Sequence, residues 1–237
     1  LMVNNKFFNG VNDFLSWHEF YDTDIIGINW TFVGSNSEVF WKNDEMYKRF
    51  NVDLSINPHI KSIIKPNKFI GSRPHYPCWH NIYNPSFRES DRTEHKYNNV
   101  IIPGEMAFSE KPTNEYATLY HYFHKSAEEF LWKFSRNRGD YPAHIEDIKI
   151  NIPESLLSGF INDHKSNHKK NTNHDTKFFK KKENKLNMIL SIPEINSAQN
   201  IVLNYFENRM NRIKLEFSNM EKTECEKVLY EILKTHE

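Results

Sequence analysis

The clearest chemical signal lies where Lys125 precedes Ser126, at the start of a predicted helix over residues 126–138. Ser126 is a preferred N-cap residue, and Glu129 three positions later completes a capping box. Backbone N–H groups at a helix N-terminus attract phosphate, and the neighbouring lysine adds positive charge. Lys125 and Ser126 are therefore candidate phosphate-binding residues. The alternative is an ordinary surface lysine beside a structural cap.

A second candidate site follows residues 24–33, which read DIIGINWTFV. Bulky apolar residues alternate there with small or polar ones, which predicts one strand of a sheet. Gly27 would let another group approach the backbone closely. Gly34 and Ser35 end the strand in a turn, and we expect them to form one wall of a ligand site. The alternative is a core strand with a tight turn and no ligand.

Other side chains could contact a sugar or a phosphate group. Tryptophan rings can stack on sugars, carboxylates can act as general bases, and arginines can bind phosphate. Core packing is the alternative for a tryptophan within a strand, and a helix C-terminus favours cations without any ligand. The candidates are Trp30, Trp79, Asp91, Glu94, Arg136 and Arg138.

Strands and helices are predicted to alternate up to about residue 140, and the end of the chain is predicted to be helical. Residues 71–115 are rich in proline and loop-like, which is typical of a functional or mobile segment. Residues 162–185 are dominated by Asn, His and Lys, which predicts a solvated linker. Its histidines have a spacing that would suit a metal, but surrounding lysines favour simple solvent exposure. Helices are predicted over residues 11–20, 126–138 and 197–217 and from residue 223, and strands over 24–33, 60–64 and 115–123.

The composition excludes several classes of protein. The 237 residues carry 31 basic and 31 acidic side chains, and a generic nucleic-acid-binding protein would show a basic excess. Cys78 and Cys225 make neither a zinc cluster nor a disulfide scaffold. No apolar run is long enough for a transmembrane segment. We expect a soluble protein, cytoplasmic rather than secreted, whose oligomeric state is left open.

Four segments, in order along residues 11–140, resemble the family 2-like glycosyltransferases, the group that includes glycosyltransferase family 92. Residues 27–35 (GINWTFVGS) resemble the family's G-(I/V)-N-W-x-x-F-G-S segment, and residues 47–50 (YKRF) resemble its ERF strand. Residues 59–66 (HIKSIIKP) resemble H-x-K-S-I-V-x-P, with His75 where the family has a second histidine. Residues 120–130 (YHYFHKSAEEF) resemble N-H-Y-x-x-K-S-x-E-E-F, followed by an Arg-Gly run at 136–139.

This resemblance implies an α/β fold of the GT-A type, with a mixed sheet flanked by helices. It implies a nucleotide-sugar donor, a glycan or protein acceptor, and a divalent metal, Mn²⁺ or Mg²⁺, held with a carboxylate motif. By position, His121 would be the metal ligand, and His75, Arg138, Lys125, Ser126, Gly34 and Ser35 would contact substrate or phosphate. A satisfied core histidine is the alternative for His121.

One departure from the family pattern concerns the carboxylates. The family's D-x-D-E-F segment would be expected shortly before residue 10, where residues 7–10 read FFNG. We therefore expect residues 1–150 to be the acceptor-side part of such a domain, without its nucleotide-binding half. Residues 151–185 would be a polar linker and 186–237 a helical C-terminal appendage. The alternative function is a non-catalytic module that binds carbohydrate or protein.

Overall fold

The structure is a computed structural model that describes residues 1–4, 6–19, 22–80, 84–96, 106–136, 147–166 and 176–234. The strands are β1 (Met2–Val3), β2 (Ile25–Val33), β3 (Asp53–Ile64), β4 (Gly71–Ser72), β5 (Pro77–Cys78), β6 (Phe87–Glu89) and β7 (Ala117–His121). The helices are α1 (Val11–Glu19), α2 (Met46–Arg49), α3 (Ala127–Phe134), α4 (Glu154–Lys165), α5 (Thr176–Leu190), α6 (Pro193–Asn219) and α7 (Glu224–Lys234), with a 3₁₀ turn at Pro66–Lys68. The chain forms two compact units, residues 1–33 with 53–123, and residues 34–52 with 124–237.

The first unit is built on a mixed sheet in the order β1-β7-β2-β3, with β6 also paired to β2. β2 runs antiparallel to β3 and parallel to both β6 and β7. β6 pairs with the beginning of β2, and β7 pairs near its end, where Phe32 lies opposite His121. The predicted α/β class is therefore confirmed at the level of a mixed sheet with helices.

Strand β2 is buried along most of its length, because it has neighbours on both edges and packing on both faces. The expected close approach at Gly27 is confirmed. A Cβ there would lie 3.2 Å from Glu89 Oε2 and 3.3 Å from atoms of Ile60 and Phe87. A side chain at position 27 would therefore force the side chains of Glu89, Ile60 and Phe87 to shift.

Helix α1 packs on the sheet through Phe14, which is fully buried against a cluster with Ile26 and Ile28. Asp13 in the first turn of α1 accepts the backbone N–H of Asn9 at 2.8 Å, which ties the preceding residues to the helix. Trp17 on the same helix stacks on Tyr116 at 5.1 Å. These contacts fix α1 against the first unit.

The second unit is a helical cluster around α3, α4, α6 and α7. Each helix contributes apolar residues at helical spacing, and burial of each such side chain is worth about 1.5–3 kcal/mol. Phe130 of α3 and Phe160 of α4 stack at 4.3 Å in its centre. The buried members include Phe130, Leu131, Leu157, Phe160, Ile213, Phe217, Leu229 and Leu233.

The expected domain limits differ from those of the structure. Residues 34–52 and 124–150 belong with the helices of the second unit and not with the sheet. Glu154–Lys165, expected within a polar linker, is helix α4 and buries Leu157, Phe160 and Ile161. These three apolar residues at spacings of three and one form one helical face, which the polar composition of the whole segment conceals. No helix in the described ranges has the length and apolar character needed to cross a membrane.

Candidate functional site

The candidate site is an aromatic and imidazole cluster on the sheet of the first unit, centred on Trp30. The indole of Trp30 stacks on His121 of β7 at 4.1 Å and on His59 of β3 at 4.7 Å. Because β2 lies between those two strands, the imidazoles approach the indole from both sides. His75 lies 5.4 Å from Trp30 and 5.6 Å from His59.

His121 reaches this cluster because β7 and β2 are parallel, so their carboxyl ends lie at the same sheet edge. The prediction that these two strands end together is confirmed by their register. The His121 ring also contacts Phe32 at 5.5 Å and Phe123 at 5.7 Å, and the residue is half-buried. His121 therefore packs among aromatic rings at the edge of the cluster.

Three hydrogen bonds to β3 hold His75 in place on the loop between β4 and β5. Its Nδ1 lies 2.8 Å from the Ile60 carbonyl, and the Ser62 hydroxyl donates to the His75 carbonyl at 2.7 Å. The Lys61 ammonium donates to the Pro74 carbonyl next to it. The segment HIKS thus has a local structural role, since consecutive residues of one strand bind this loop.

The hydrogen bonds also determine the tautomers of two histidines. His75 Nδ1 must donate to the Ile60 carbonyl, and His59 Nδ1 lies 2.6 Å from Asn57 Oδ1. That oxygen also accepts the His59 backbone N–H, which identifies it as the acceptor. Both imidazoles therefore carry hydrogen on Nδ1 and, when neutral, a lone pair on Nε2. Burial, with smaller contributions from the charges of His75 and Lys61, lowers the pKa of His59, which favours its neutral form.

Trp30 was a candidate for stacking on a sugar. Both faces of its ring are covered by His59 and His121, so the core-packing alternative describes it better. Lys61 Nζ lies 6.0 Å from the centre of the ring. The cluster therefore offers imidazole nitrogens and one ammonium group to a ligand, and not an open tryptophan face.

The expected metal ion has no cluster of ligands in the described part of the chain. No three His, Cys, Asp or Glu side chains there are grouped closely enough to hold a metal. The sequence does contain a D-x-D spacing at Asp22 and Asp24, but it precedes β2 and lies at the opposite end from His121. Asp24 is bound to Lys68 Nζ at 2.7 Å and to the Ser86 backbone N–H at 2.9 Å. The described residues alone do not fit a metal site, and we derive no chemistry through one.

The N-terminus of α3 in the second unit is already occupied by protein groups. The backbone N–H of Ala127 donates to the Glu38 carbonyl at 3.0 Å, and that of Glu128 donates to the Val39 carbonyl at 3.1 Å. Ser126 and Glu129 form the predicted capping box, with the Ser126 hydroxyl 2.8 Å from Glu129 Oε2. The cap prediction is confirmed, but the first amides have no capacity left for a phosphate.

Lys125 has a conformation that suits this structural role. Its φ is 57°, in the left-handed region, and its Nζ lies 4.0 Å from Glu129 Oε1. The lysine side chain is partly exposed, so a charge remains at this position. A phosphate beside Lys125 would contact only the lysine ammonium group, because the backbone N–H groups at the start of α3 already donate to protein carbonyls.

The Gly34–Ser35 turn binds an internal carboxylate in the second unit. The Ser35 backbone N–H donates to Asp163 Oδ2 at 2.7 Å, and the Gly34 N–H donates to the Val52 carbonyl at 2.8 Å. Ser35 is fully buried. Both backbone N–H groups of the turn are therefore bound to protein acceptors. This agrees with the alternative of a tight turn that binds no ligand.

Asp163 also holds His124, whose Nδ1 lies 2.8 Å from the same oxygen, Oδ2. Burial alone would raise the pKa of Asp163, but the hydrogen bonds from His124 and from the Ser35 amide outweigh it and lower that pKa. This aspartate–histidine pair was missed by sequence reasoning, because its members lie on different elements. The only local signal was the polar Asp163 within the apolar pattern of α4.

The remaining candidates are scattered. Arg138, His168 and His174 lie outside the described residues. His164 lies in the last turn of α4. Arg136 is exposed at the end of α3. Trp79 and Glu94 both line one cleft in the first unit, and Asp91 lines a neighbouring cleft.

Comparisons of this chain with protein-family models, with curated proteins and with solved structures found no match.

Proposed function

We propose that this chain is the acceptor-side part of a glycosyltransferase that uses a nucleotide-sugar donor. The observation that carries the proposal is the gathering of His59, His75 and His121 around Trp30. The resemblance to family 2-like glycosyltransferases depends on these same residues. They come from three different parts of the chain, and the parallel pairing of β2 and β7 brings the last of them to the others.

A second pair of the resembling segments is also joined in space. Arg49 of the segment YKRF donates to Glu129 of the segment KSAEEF at 2.6 Å, with both side chains largely buried. Glu128 of the same segment accepts the Trp41 backbone N–H at 2.8 Å. The Arg49–Glu129 contact joins two of the resembling segments, although residues 46–49 form helix α2 and not the strand that the resemblance implies.

The chemistry of the cluster suits a diphosphate and a hydroxyl group. The Lys61 ammonium would attract the anionic donor, and an imidazole that takes up a proton on Nε2 would also donate a hydrogen bond to it. A neutral imidazole with its Nε2 lone pair free can accept the proton of a hydroxyl group that attacks the sugar. His59 has the required tautomer and a pKa lowered by burial. We therefore assign the anion-binding role to Lys61 and His75 and the proton-accepting role to His59.

The test is calorimetric titration of the full polypeptide that carries this chain with uridine diphosphate and a panel of nucleotide sugars. Each titration is run in MnCl₂ and in EDTA. His75→Ala should weaken binding roughly 10- to 100-fold, the effect of losing one charge-assisted hydrogen bond. His59→Ala, which removes the assigned proton acceptor and not an anion-binding group, should weaken binding much less. His80→Ala is the matched control, since His80 is exposed and outside the cluster.

Two results would contradict the proposal. One is the absence of binding to every nucleotide and nucleotide sugar in both buffers. The other is binding that the His75 variant leaves unchanged while its melting temperature matches the wild type. Glycan binding without any nucleotide-sugar binding would favour the non-catalytic carbohydrate-binding module instead.

A further inference from the structure

The first unit contains a cleft of about 470 Å³ beside β6 that the imidazole cluster does not share. That volume lies within the roughly 300–1,000 Å³ typical of small-molecule sites. Its lining combines two large aromatic rings, those of Trp79 and Phe87, with several polar groups. The polar residues include Ser86, Arg88, Glu94 and His95.

Two opposite charges line this cleft without neutralising each other. Arg88 and Glu94 are partners in an antiparallel bridge, so their backbones are directly opposed. Such pairs commonly form ion pairs across strands. Among the described residues, however, neither side chain makes an ion pair or a hydrogen bond. A guanidinium donor and a carboxylate acceptor therefore remain available at the same wall of the cleft.

His95 adds a third polar group to the lining of the cleft, and its ring is fixed by a buried carboxylate. Its Nδ1 lies 2.7 Å from Glu89 Oε1, with side-chain exposures of 1% for His95 and 4% for Glu89. Its ring stacks on Phe87 at 4.0 Å. Within the described residues, Nε2 of His95 has no hydrogen-bond partner. Buried polar groups are almost always paired, so this nitrogen is expected to be satisfied by a water or a ligand group.

We infer that this cleft binds a saccharide ring. Each hydroxyl group of a sugar can both donate and accept a hydrogen bond, which matches the mixture of an arginine donor, a glutamate acceptor and an imidazole nitrogen. The apolar face of a sugar ring would contact Trp79. A free amino acid could satisfy Arg88 with its carboxylate and Glu94 with its ammonium group, but it would leave the additional polar groups of the cleft without partners.

Since none of the cluster histidines lines this cleft, a saccharide ring held here would be one part of a larger acceptor of the proposed transferase. That part of the inference rests on the proposed function. Saccharide binding itself does not depend on it. Neither His75 nor His121, the histidines of the family-like segments, lines the cleft. Binding of sugar and binding of nucleotide can therefore be measured separately and can fail separately.

The experiment follows the indole N–H resonance of Trp79 by NMR, assigned with Trp79→Phe, in the full chain without nucleotide or metal. The probes are the methyl glycosides of glucose, galactose, mannose and N-acetylglucosamine, with L-alanine and L-phenylalanine as zwitterions. At least one glycoside should shift this resonance in a saturable manner. Glu94→Gln and Arg88→Gln should each weaken that binding roughly 10- to 100-fold, as expected for a lost hydrogen bond to a charged group.

Glu110→Gln is the matched control, because Glu110 is an exposed acid that lines only the neighbouring cleft. It should leave the affinity unchanged. If no glycoside shifts the Trp79 resonance, or if only the amino acids do, the inference is overturned. The same holds if Glu94→Gln and Glu110→Gln weaken binding equally. A glycoside that binds here in a protein unable to bind any nucleotide sugar would keep this inference and refute the proposed transferase.

Discussion

The ion pair between Arg49 and Glu129 should make a large contribution to the stability of the second unit. The two groups approach within 2.6 Å, with side-chain exposures of 4% and 11%. Glu129 also accepts the Ser126 hydroxyl, so one carboxylate joins α2 to the N-terminus of α3. Glu129→Gln keeps the shape and an acceptor oxygen but leaves the buried guanidinium without its counter-charge. Breaking a buried pair in this way typically costs about 3–5 kcal/mol. We expect about 3 kcal/mol, because the Phe40 and Lys42 carbonyls also bind Arg49.

The assay is equilibrium unfolding in urea, followed by circular dichroism. Arg49→Met should cost a similar amount, and the double variant should cost clearly less than the sum, because it leaves no unpaired buried charge. Glu38→Gln is the control, since Glu38 pairs with the exposed Lys42, and such surface pairs are worth about 0–1 kcal/mol. A Glu129→Gln cost below about 1 kcal/mol, or strictly additive single variants, would refute the reasoning.

Three further predictions concern a cap, a close approach and a buried histidine. Ser126→Ala should lower the free energy of unfolding by about 1 kcal/mol, through loss of the capping box, measured by urea titration; an unchanged midpoint would contradict it. Gly27→Ala should cost about 1–3 kcal/mol by overpacking against neighbours within 3.3 Å, whereas Gly71→Ala, with nothing within 4 Å, should be nearly neutral in the same titration. Burial lowers the pKa of His18 to about 4 from 6.5. The unfolded chain therefore takes up this proton first, and stability falls between pH 6.5 and 4 by up to about 1.4 kcal/mol per pH unit. The unfolding free energy of His18→Gln should fall less steeply over that interval, and equal slopes would show that His18 is not responsible.

Local sequence patterns predicted those features that depend on a few adjacent residues. The capping box predicted at Ser126 is present, because it needs only side chains three positions apart, and Thr223 and Glu226 form another box of this kind. Gly27 and the strand around it were predictable for the same reason. The division into units was not, because residues 34–52 leave the sheet between two of its strands and join helices that follow 124. Nothing in the composition of that segment marks the change.

The site shows the same limit of local reasoning. His75 and His121 were found by their positions in family-like segments, and both lie beside Trp30. The helix amides beside Lys125 looked available, because the sequence does not reveal that the Glu38 and Val39 carbonyls accept from them. His95 was not singled out, since its partner Glu89 faces it only after the chain turns back at residues 90–94.

The backbone of Lys125 gives a physical reason to locate anion binding at the histidine cluster and not at the helix. A left-handed conformation costs a lysine about 1–2 kcal/mol, so the surrounding structure must maintain it. Here it turns the chain so that the amides of Ala127 and Glu128 meet protein carbonyls. An anion at this helix end would have to displace those bonds and lose their energy. At the cluster no such exchange is needed, because His75 is already fixed through Nδ1, and its Nε2, once protonated, would donate to an anion beside the Lys61 ammonium. If the proposed transferase binds a nucleotide-sugar donor, the electrostatic contribution to that binding should therefore come from β3 and its attached loop.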